Sequence, residues 1–516
     1  MRRWRRYINM VSFPLKILYA ASVLLGLSGL LLNPNFQLLV GSHPTVDVAA
    51  ELIKYIASSI VLIIPIIFLM RAVHRRGDEP PVIIVGVIGY LTFHVSTMFI
   101  QAGSLNANVF RTSMGLMLDL STLRTTTLTL VNPLYTGFIG AFLVAGITRV
   151  AYRMTKSRAG YGFLGFLDAP TSMAIVTLGL SLLGGIVFAY GWPLVVNAMM
   201  GVFNFIARDL NNPVNLFLYG IVERLADNAG LHLIIRRLFW FGELGGSWSD
   251  AFGVNFLGDV AVWTGQIKEG VINTGIGRLI TPYYVLNLFA MPAYLISTYQ
   301  TFTDKLEKRR VLAFLTLAVL SSILFGTLLP IELFLLFSAP LLFIFHLTMT
   351  GVLFAVFSAL RVSIGYSYVG NAVGAVPGSL LDLLIHVRTP ALQRSLLIIL
   401  AVGLLTGLIY YAMSTYYYRK AAANFITVDE KDSMIEELLE CIGGLENIKL
   451  INSSIRVLSI QVYDRSKVDF LKIRHHYIAR IVESKAGYQL TYGASSHILW
   501  MAIQQRLKDL AYTERA

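Results

Sequence analysis

Residues 325–346 read FGTLLPIELFLLFSAPLLFIFH, an apolar stretch in which Glu332 is the only acid in roughly forty residues after Glu307. Pro330 beside it leaves a backbone carbonyl without its usual donor, and broken helices at membrane depth line substrate cavities. A carboxylate in such a setting faces protein, water or substrate. Outward from this stretch the chain keeps the same character. Apolar runs fall near 14–33, 52–71, 81–100, 133–148, 172–191, 311–326, 331–357 and 396–416. A bilayer core takes ~20 apolar residues per helix, so most of these runs can span it. Weaker stretches at 105–130, 195–222 and 279–298 read as further spans, re-entrant hairpins or interfacial helices. With 56% hydrophobic and 14% charged residues over 516 positions, the chain holds more apolar surface than one soluble core hides. This predicts a polytopic all-α membrane part. The first run lacks a small-residue cleavage site after it and reads as a retained helix.

A net charge of +13 would suit nucleic-acid binding, but the basic residues sit at helix ends, where the positive-inside rule puts them. Arg2, Arg3, Arg5 and Arg6 precede the first run; Arg71, His74, Arg75 and Arg76 follow the second. Arg149, Arg153, Lys156 and Arg158 follow the fourth, and Arg419 and Lys420 the last. Topology therefore explains the charge, both termini are expected in the cytoplasm, and no nucleic-acid partner is implied. The single cysteine, Cys441, excludes an internal disulfide and a multi-thiolate metal site, and its setting in an amphipathic helix makes it a buried structural thiol.

Composition changes after Tyr418: residues 419–516 carry 26 charged side chains in 98 positions, against 45 in the 418 before them. The expected division is a membrane domain over 1–420, a linker over 421–428 and a small cytoplasmic α/β domain over 429–516. In that domain a helix is predicted from Asp429 to Ile442, stopped by Gly443 and Gly444. The alternation of Leu458, Ile460 and Val462 predicts a strand over 454–462, a short helix follows at 466–473, strands at 479–483 and 488–492, and a helix at 495–510. No phosphate-cradling glycine-rich loop occurs, and no cofactor is implied.

A second membrane segment, FLYGIVERLADNAGLHLIIRR at 217–237, sets Glu223, Arg224, Asp227 and His232 in one neighbourhood. Its Tyr219, Gly220, Arg224, Leu225, Gly230, Leu231 and His232 match a YGxxxRLLxPxGLHH pattern, and 326–333 match GITEPIEF through Gly326, Pro330, Ile331 and Glu332. Segments 291–311 and 339–346, the pair Trp192–Pro193, and GGLENIKLINSSIRVLSIQVYDRSKVD at 443–469 extend the match in order. So do Gly487, Gln489, Tyr492, Gly493 and Ser496. On these residues the chain resembles the glucose superfamily of the bacterial phosphotransferase system, enzyme IIC fused to enzyme IIB. The resemblance implies about ten spans with re-entrant hairpins around a sugar cavity, a homodimer in the bacterial plasma membrane, and a hexose or hexosamine as cargo. It further implies enzyme IIA, or a separate enzyme IIB, as protein partner.

The departures from that pattern fall on chemical positions. Ser454 stands where the family's phosphate-accepting cysteine belongs; a thiolate forms near neutral pH, whereas a hydroxyl needs an adjacent base. Arg456 and Val457 replace Thr and Arg, Leu329 replaces the first glutamate of GITEP, and Leu233 the second histidine of GLHH. His475 and His476 read as solvated rather than as the missing base. Glu332 reads as a substrate or cavity residue, while His232 stands between a structural histidine and a sugar hydrogen-bonder. Glu223, Arg224 and Asp227 read as an internal charge network, and His346 as a packed or interfacial histidine. Two functions stay open: a sugar permease whose in-cis phosphorylation is impaired, and a non-transporting sugar sensor or partner-binding subunit.

Overall fold

The computed structural model describes residues 2–32, 36–37, 41, 43–74, 81–99, 107–111, 132–155, 168–272, 275–301, 305–366, 377–424, 428–453, 457–469, 472–473, 481–484, 487–491 and 495–513. It divides into two compact units, one of residues 3–295 with 317–411 and one of 296–316 with 412–516. In chain order the long helices begin with α1 (Arg2–Leu31), α2 (Pro44–Val73), α3 (Pro81–Phe99), α4 (Gly137–Thr155), α5 (Ala169–Ala207) and α6 (Pro213–Asn228). They continue with α7 (Asp259–Lys268), α8 (Lys305–Phe325), α9 (Leu329–Ser338), α10 (Pro340–Ala359) and α11 (Gln393–Asn424). Between α7 and α8 a helical run over 281–301 contains a π turn at Leu286–Ala290.

Among the described residues seven helical segments are long and apolar enough to cross a bilayer: Phe13–Leu31, Pro44–Val73, Pro81–Phe99, Gly137–Thr155, Ala169–Ala207, Pro340–Ala359 and Pro390–Tyr418. The figure of about ten belongs to the resemblance alone. The apolar run at 331–357 is not one helix. Pro340 disfavours helical backbone at Ala339, which sits at φ −145° and ψ 73°, so the run is cut into α9 and α10. The stretch at 195–222 is likewise shared by two helices. Asn212 caps the second, accepting from Val214 N at 2.9 Å, with Pro213 in the first turn.

Small residues let these helices approach. A Cβ at Gly185 of α5 would lie 2.5 Å from Phe93 O on α3, and one at Gly351 of α10 would lie 2.8 Å from Phe217 O on α6. The second contact matters most for the site, because it brings the polar face of α6 against α9 and α10. Gly230, at φ +72°, then reverses the chain after α6: its N–H reaches Asp227 O at 3.0 Å and that of Leu231 reaches Ala226 O at 2.7 Å. The turn returns His232 over Asp227.

The second unit holds α12 (Val428–Cys441), β3 (Ile448–Ser453), β4 (Val457–Val462), β5 (Ile481–Ser484), β6 (Gly487–Thr491) and α13 (Ser495–Thr513); β1 and β2 (Ser247–Ser249 and Asn255–Leu257) form a hairpin in the first. The four tail strands pair antiparallel in the order β3-β4-β6-β5. Leu458 and Ile460 point into a core shared with Ile435, Leu438, Leu490 and Leu499, as period-2 alternation requires. The structure differs from expectation in three places. Strand β3 is an additional strand before the predicted one. The predicted helix at 466–473 opens instead as a 3-10 turn over Arg465–Lys467, in which Asp464 accepts from Ser466 N at 2.9 Å. Residues 421–424 of the expected linker are the last turn of α11. Ser454, Arg456, His475 and His476 lie outside the described residues.

Candidate functional site

The site grows from one buried guanidinium. Arg224, on the inner face of α6, forks onto both carboxylate oxygens of its neighbour Glu223 and also donates to the Tyr283 hydroxyl, which itself donates to Glu223. Its Nη1 reaches Glu332 Oε1 at 3.1 Å and Oε2 at 3.3 Å, and Asp227 Oδ2 at 3.3 Å. The guanidinium carbon sits 4.7 Å from the Tyr283 ring centroid, which adds a cation–π contact. Three carboxylates thus converge on one arginine, and all four groups are buried. Only Arg has enough planar donors for this arrangement.

Glu332 is held from every side. Asn228 Nδ2 donates to its Oε2 at 2.9 Å, and His346 Nε2 lies 2.8 Å from its Oε1. A carboxylate only accepts, so Nε2 carries the proton and, in the neutral ring, Nδ1 accepts from the Tyr410 hydroxyl at 2.7 Å. The network therefore ties α6, α9, α10, α11 and the 281–301 run together. Pro330, in the first turn of α9, does not expose Glu332, which has no solvent-accessible surface.

Beside this network lies a cavity of about 50 Å³, room for about three waters at ~15 Å³ each. Arg224, Asp227, His232, Arg236, Tyr283 and Thr327 form its polar wall; Leu18, Leu25, Val61, Leu328 and Leu329 form an apolar one. His232 Nδ1 faces Asp227 Oδ1 across 3.8 Å, too far for a hydrogen bond, and neither it nor Thr327 Oγ1 has a hydrogen-bond partner among the described residues. Arg236 lies 4.8 Å over the Trp240 ring, and Trp240 donates to Tyr219 OH at 2.9 Å. No group of His, Cys, Asp and Glu among the described residues is arranged to hold a metal.

Of the residues singled out in the sequence, His232 and Leu329 line the cavity. Glu332 stands behind Arg224 rather than on the wall. Ser454 lies outside the described residues. Sequence reasoning had no signal for Tyr283, Asn228 or Arg236, which come from distant segments or look like ordinary aromatic and helix-end residues, and Tyr410, whose place before Arg419 and Lys420 fits an interfacial aromatic belt, is instead buried. Of the two readings of His346, packed or interfacial, the structure has the packed one, with the ring bonded to Glu332.

Comparison with known proteins agrees with this architecture. The family described as "Phosphotransferase system, EIIC" matches residues 8–351. The PTS system glucoside-specific EIICBA component of Staphylococcus carnosus (strain TM300) is 27% identical over 510 residues, covering 95% of this chain and 71% of that protein.

Proposed function

The chain belongs to the EIIC family of the phosphotransferase system, and from that premise we propose that it binds and translocates a hexose, a hexosamine or a related glycoside at a site that widens from the cavity walled by His232 and Leu329. The observation that carries this reading is a set of buried polar atoms, His232 Nδ1 and Thr327 Oγ1, that have no partner among the described residues and sit beside the Arg224 guanidinium on one cavity wall. Sugar hydroxyls donate and accept at once and satisfy such atoms. His232 contacts the sugar, while Glu332 acts through Arg224 by fixing its position and charge. A glucoside is the first cargo to try, because the S. carnosus relative is glucoside-specific. Leu329, an aliphatic side chain where the family has an acid, favours cargo with an apolar face on that side.

In this reading residues 1–420 carry the permease, 421–428 link it to an enzyme IIB-like domain over 429–516, and both termini are cytoplasmic. The protein works as a homodimer in the bacterial plasma membrane. Ser454 at the phosphoacceptor position leaves phosphorylation to a separate enzyme IIB, or absent. Uptake of labelled sugar into vesicles bearing the full chain tests this; no uptake of any hexose, hexosamine or disaccharide, with or without phosphoenolpyruvate, sinks it.

The paired departures at Ser454 and Leu329 favour a second reading, a sugar sensor whose tail docks phosphotransferase or signalling partners without accepting phosphate. Phosphate transfer from phosphoenolpyruvate through the general proteins and an enzyme IIA, to wild type and to Ser454→Cys, separates the cases. Label on wild type makes the serine a working acceptor. Label on the variant alone supports a domain that docks its donor and has lost the chemistry.

A further inference from the structure

We propose that Asp227 and His232 form a proton site that competes with the sugar, so that each sugar bound releases one proton to water. This deepens the reading above and rests on it for the identity of the competitor. Three buried carboxylates, Glu223, Asp227 and Glu332, share the single guanidinium of Arg224. Glu332 is occupied by Asn228 and His346, and Glu223 by the Arg224 fork and Tyr283, so Asp227 is the least supported of the three. Its Oδ2 keeps one long contact to Arg224, and its Oδ1 looks across 3.8 Å to His232 Nδ1.

The charges around the pair leave room for one more positive. On its own helix it meets Glu223 and Arg224, from α9 Glu332, from the 281–301 run Tyr283, from the segment before α4 Tyr135, and from the turn after His232 the cations Arg236 and Arg237. Arg237 directs its Nη1 away, to the carbonyls of Val109 and Arg111 at 3.5 and 3.2 Å. Arg224 and Arg236 are the cations that act on Asp227, set against three carboxylates, and an unbalanced buried charge is destabilising. One proton held between Asp227 and His232 removes the excess. It also turns an empty 3.8 Å contact into a hydrogen bond, because carboxyl O–H donates to Nδ1, or imidazolium N–H to Oδ1.

The gap opens on the cavity, where His232 Nδ1 is more than nine-tenths buried and has no other partner among the described residues. A sugar hydroxyl placed there donates to Asp227 and accepts from Nδ1–H. The closed, protonated pair leaves it no place, so proton and sugar exclude one another.

The full chain in lipid nanodiscs, with 15N-labelled histidine rings, tests the proton site without any ligand. The ring signal that disappears in His232→Gln is expected to shift between about pH 8 and about pH 5, and to lose that shift in Asp227→Asn. A His232 ring that does not respond over this range in wild type overturns the proposal, whether or not the variants fold. Calorimetry with methyl β-D-glucopyranoside, in two buffers of different protonation enthalpy, is expected to show one proton released per sugar and affinity falling about tenfold per pH unit below the pair's midpoint. Binding that is independent of pH and releases no proton overturns the competition. Absence of glucoside binding at every pH sinks the glycoside reading instead, and the proton site is then judged on the ring titration.

Discussion

The membrane unit and the tail domain are organised around opposite kinds of centre. At the heart of the first, charged and polar groups from three elements meet on Arg224, and two more elements join through Glu332. In the second, Leu458, Ile460, Leu438 and Leu490 pack an aliphatic core. The difference teaches where function resides. An aliphatic core tolerates exchange of one side chain for another of similar volume, whereas a buried ionic network fails when any one member leaves its partners unpaired. Lipid offers no hydrophobic gain for helices that associate within it, so α6, α9, α10 and α11 rely on close glycine contacts and on this network to find one another.

The sharpest break of the contrast is Arg224→Leu. It strands three buried carboxylates and is expected to cost about 3–5 kcal/mol, seen as loss of a monodisperse, thermally cooperative membrane protein. A variant as stable as wild type would mean the network is not what organises that unit. Next in size, Leu458→Ala in the fully buried tail core is expected to cost about 2–5 kcal/mol. Its mark is early proteolysis of the tail while the thermal transition of the membrane unit is unchanged. A smaller effect belongs to Tyr410→Phe, which deletes one hydrogen bond to His346 and leaves Nδ1 buried and unpaired. About 1–3 kcal/mol of thermal stability is expected to go, and an unchanged melting temperature would place Tyr410 outside the network.

Smallest is the acid response of the tail. Asp464 accepts from the hydroxyl and backbone N–H of Ser466, which hold its carboxyl below the ordinary value of 3.8. A depressed carboxyl stabilises the turn above that value and ceases to do so as pH falls through the folded-state value beneath it. Loss of Ser466 amide protection is therefore expected only in that acid range, and loss at mildly acidic pH would contradict the assignment.

Much of this was legible in the sequence, for reasons that differ by region. Apolar runs of spanning length announce membrane helices because lipid admits only helices and closed barrels, and a barrel strand needs no run so long. The alternation through Leu458, Ile460 and Val462 announced β4, since a half-buried strand repeats every two residues. Strand β3 was missed because its turns of exposure run irregularly, with Lys449 and Leu450 both facing out beside a register shift. The break at Ala339 was missed in a run apolar on both sides of Pro340. Glu223, Arg224 and Asp227 were legible as a charge network because they share one helix, but the partners that close it, Tyr283 and Glu332, lie 59 and 108 positions from Arg224.

By itself the sequence determined that the chain is a membrane protein with a charged segment on α6, an isolated acid at 332 and a more highly charged α/β tail, because periodicity and composition are local properties. Only the tertiary structure decided which of those charges meet. It placed Glu332 behind Arg224, bonded His346 to Glu332, and left His232 facing Asp227 across an open gap. Pairing of buried charges depends on distance and desolvation across packed helices, and neither quantity is written in the order of residues along a chain.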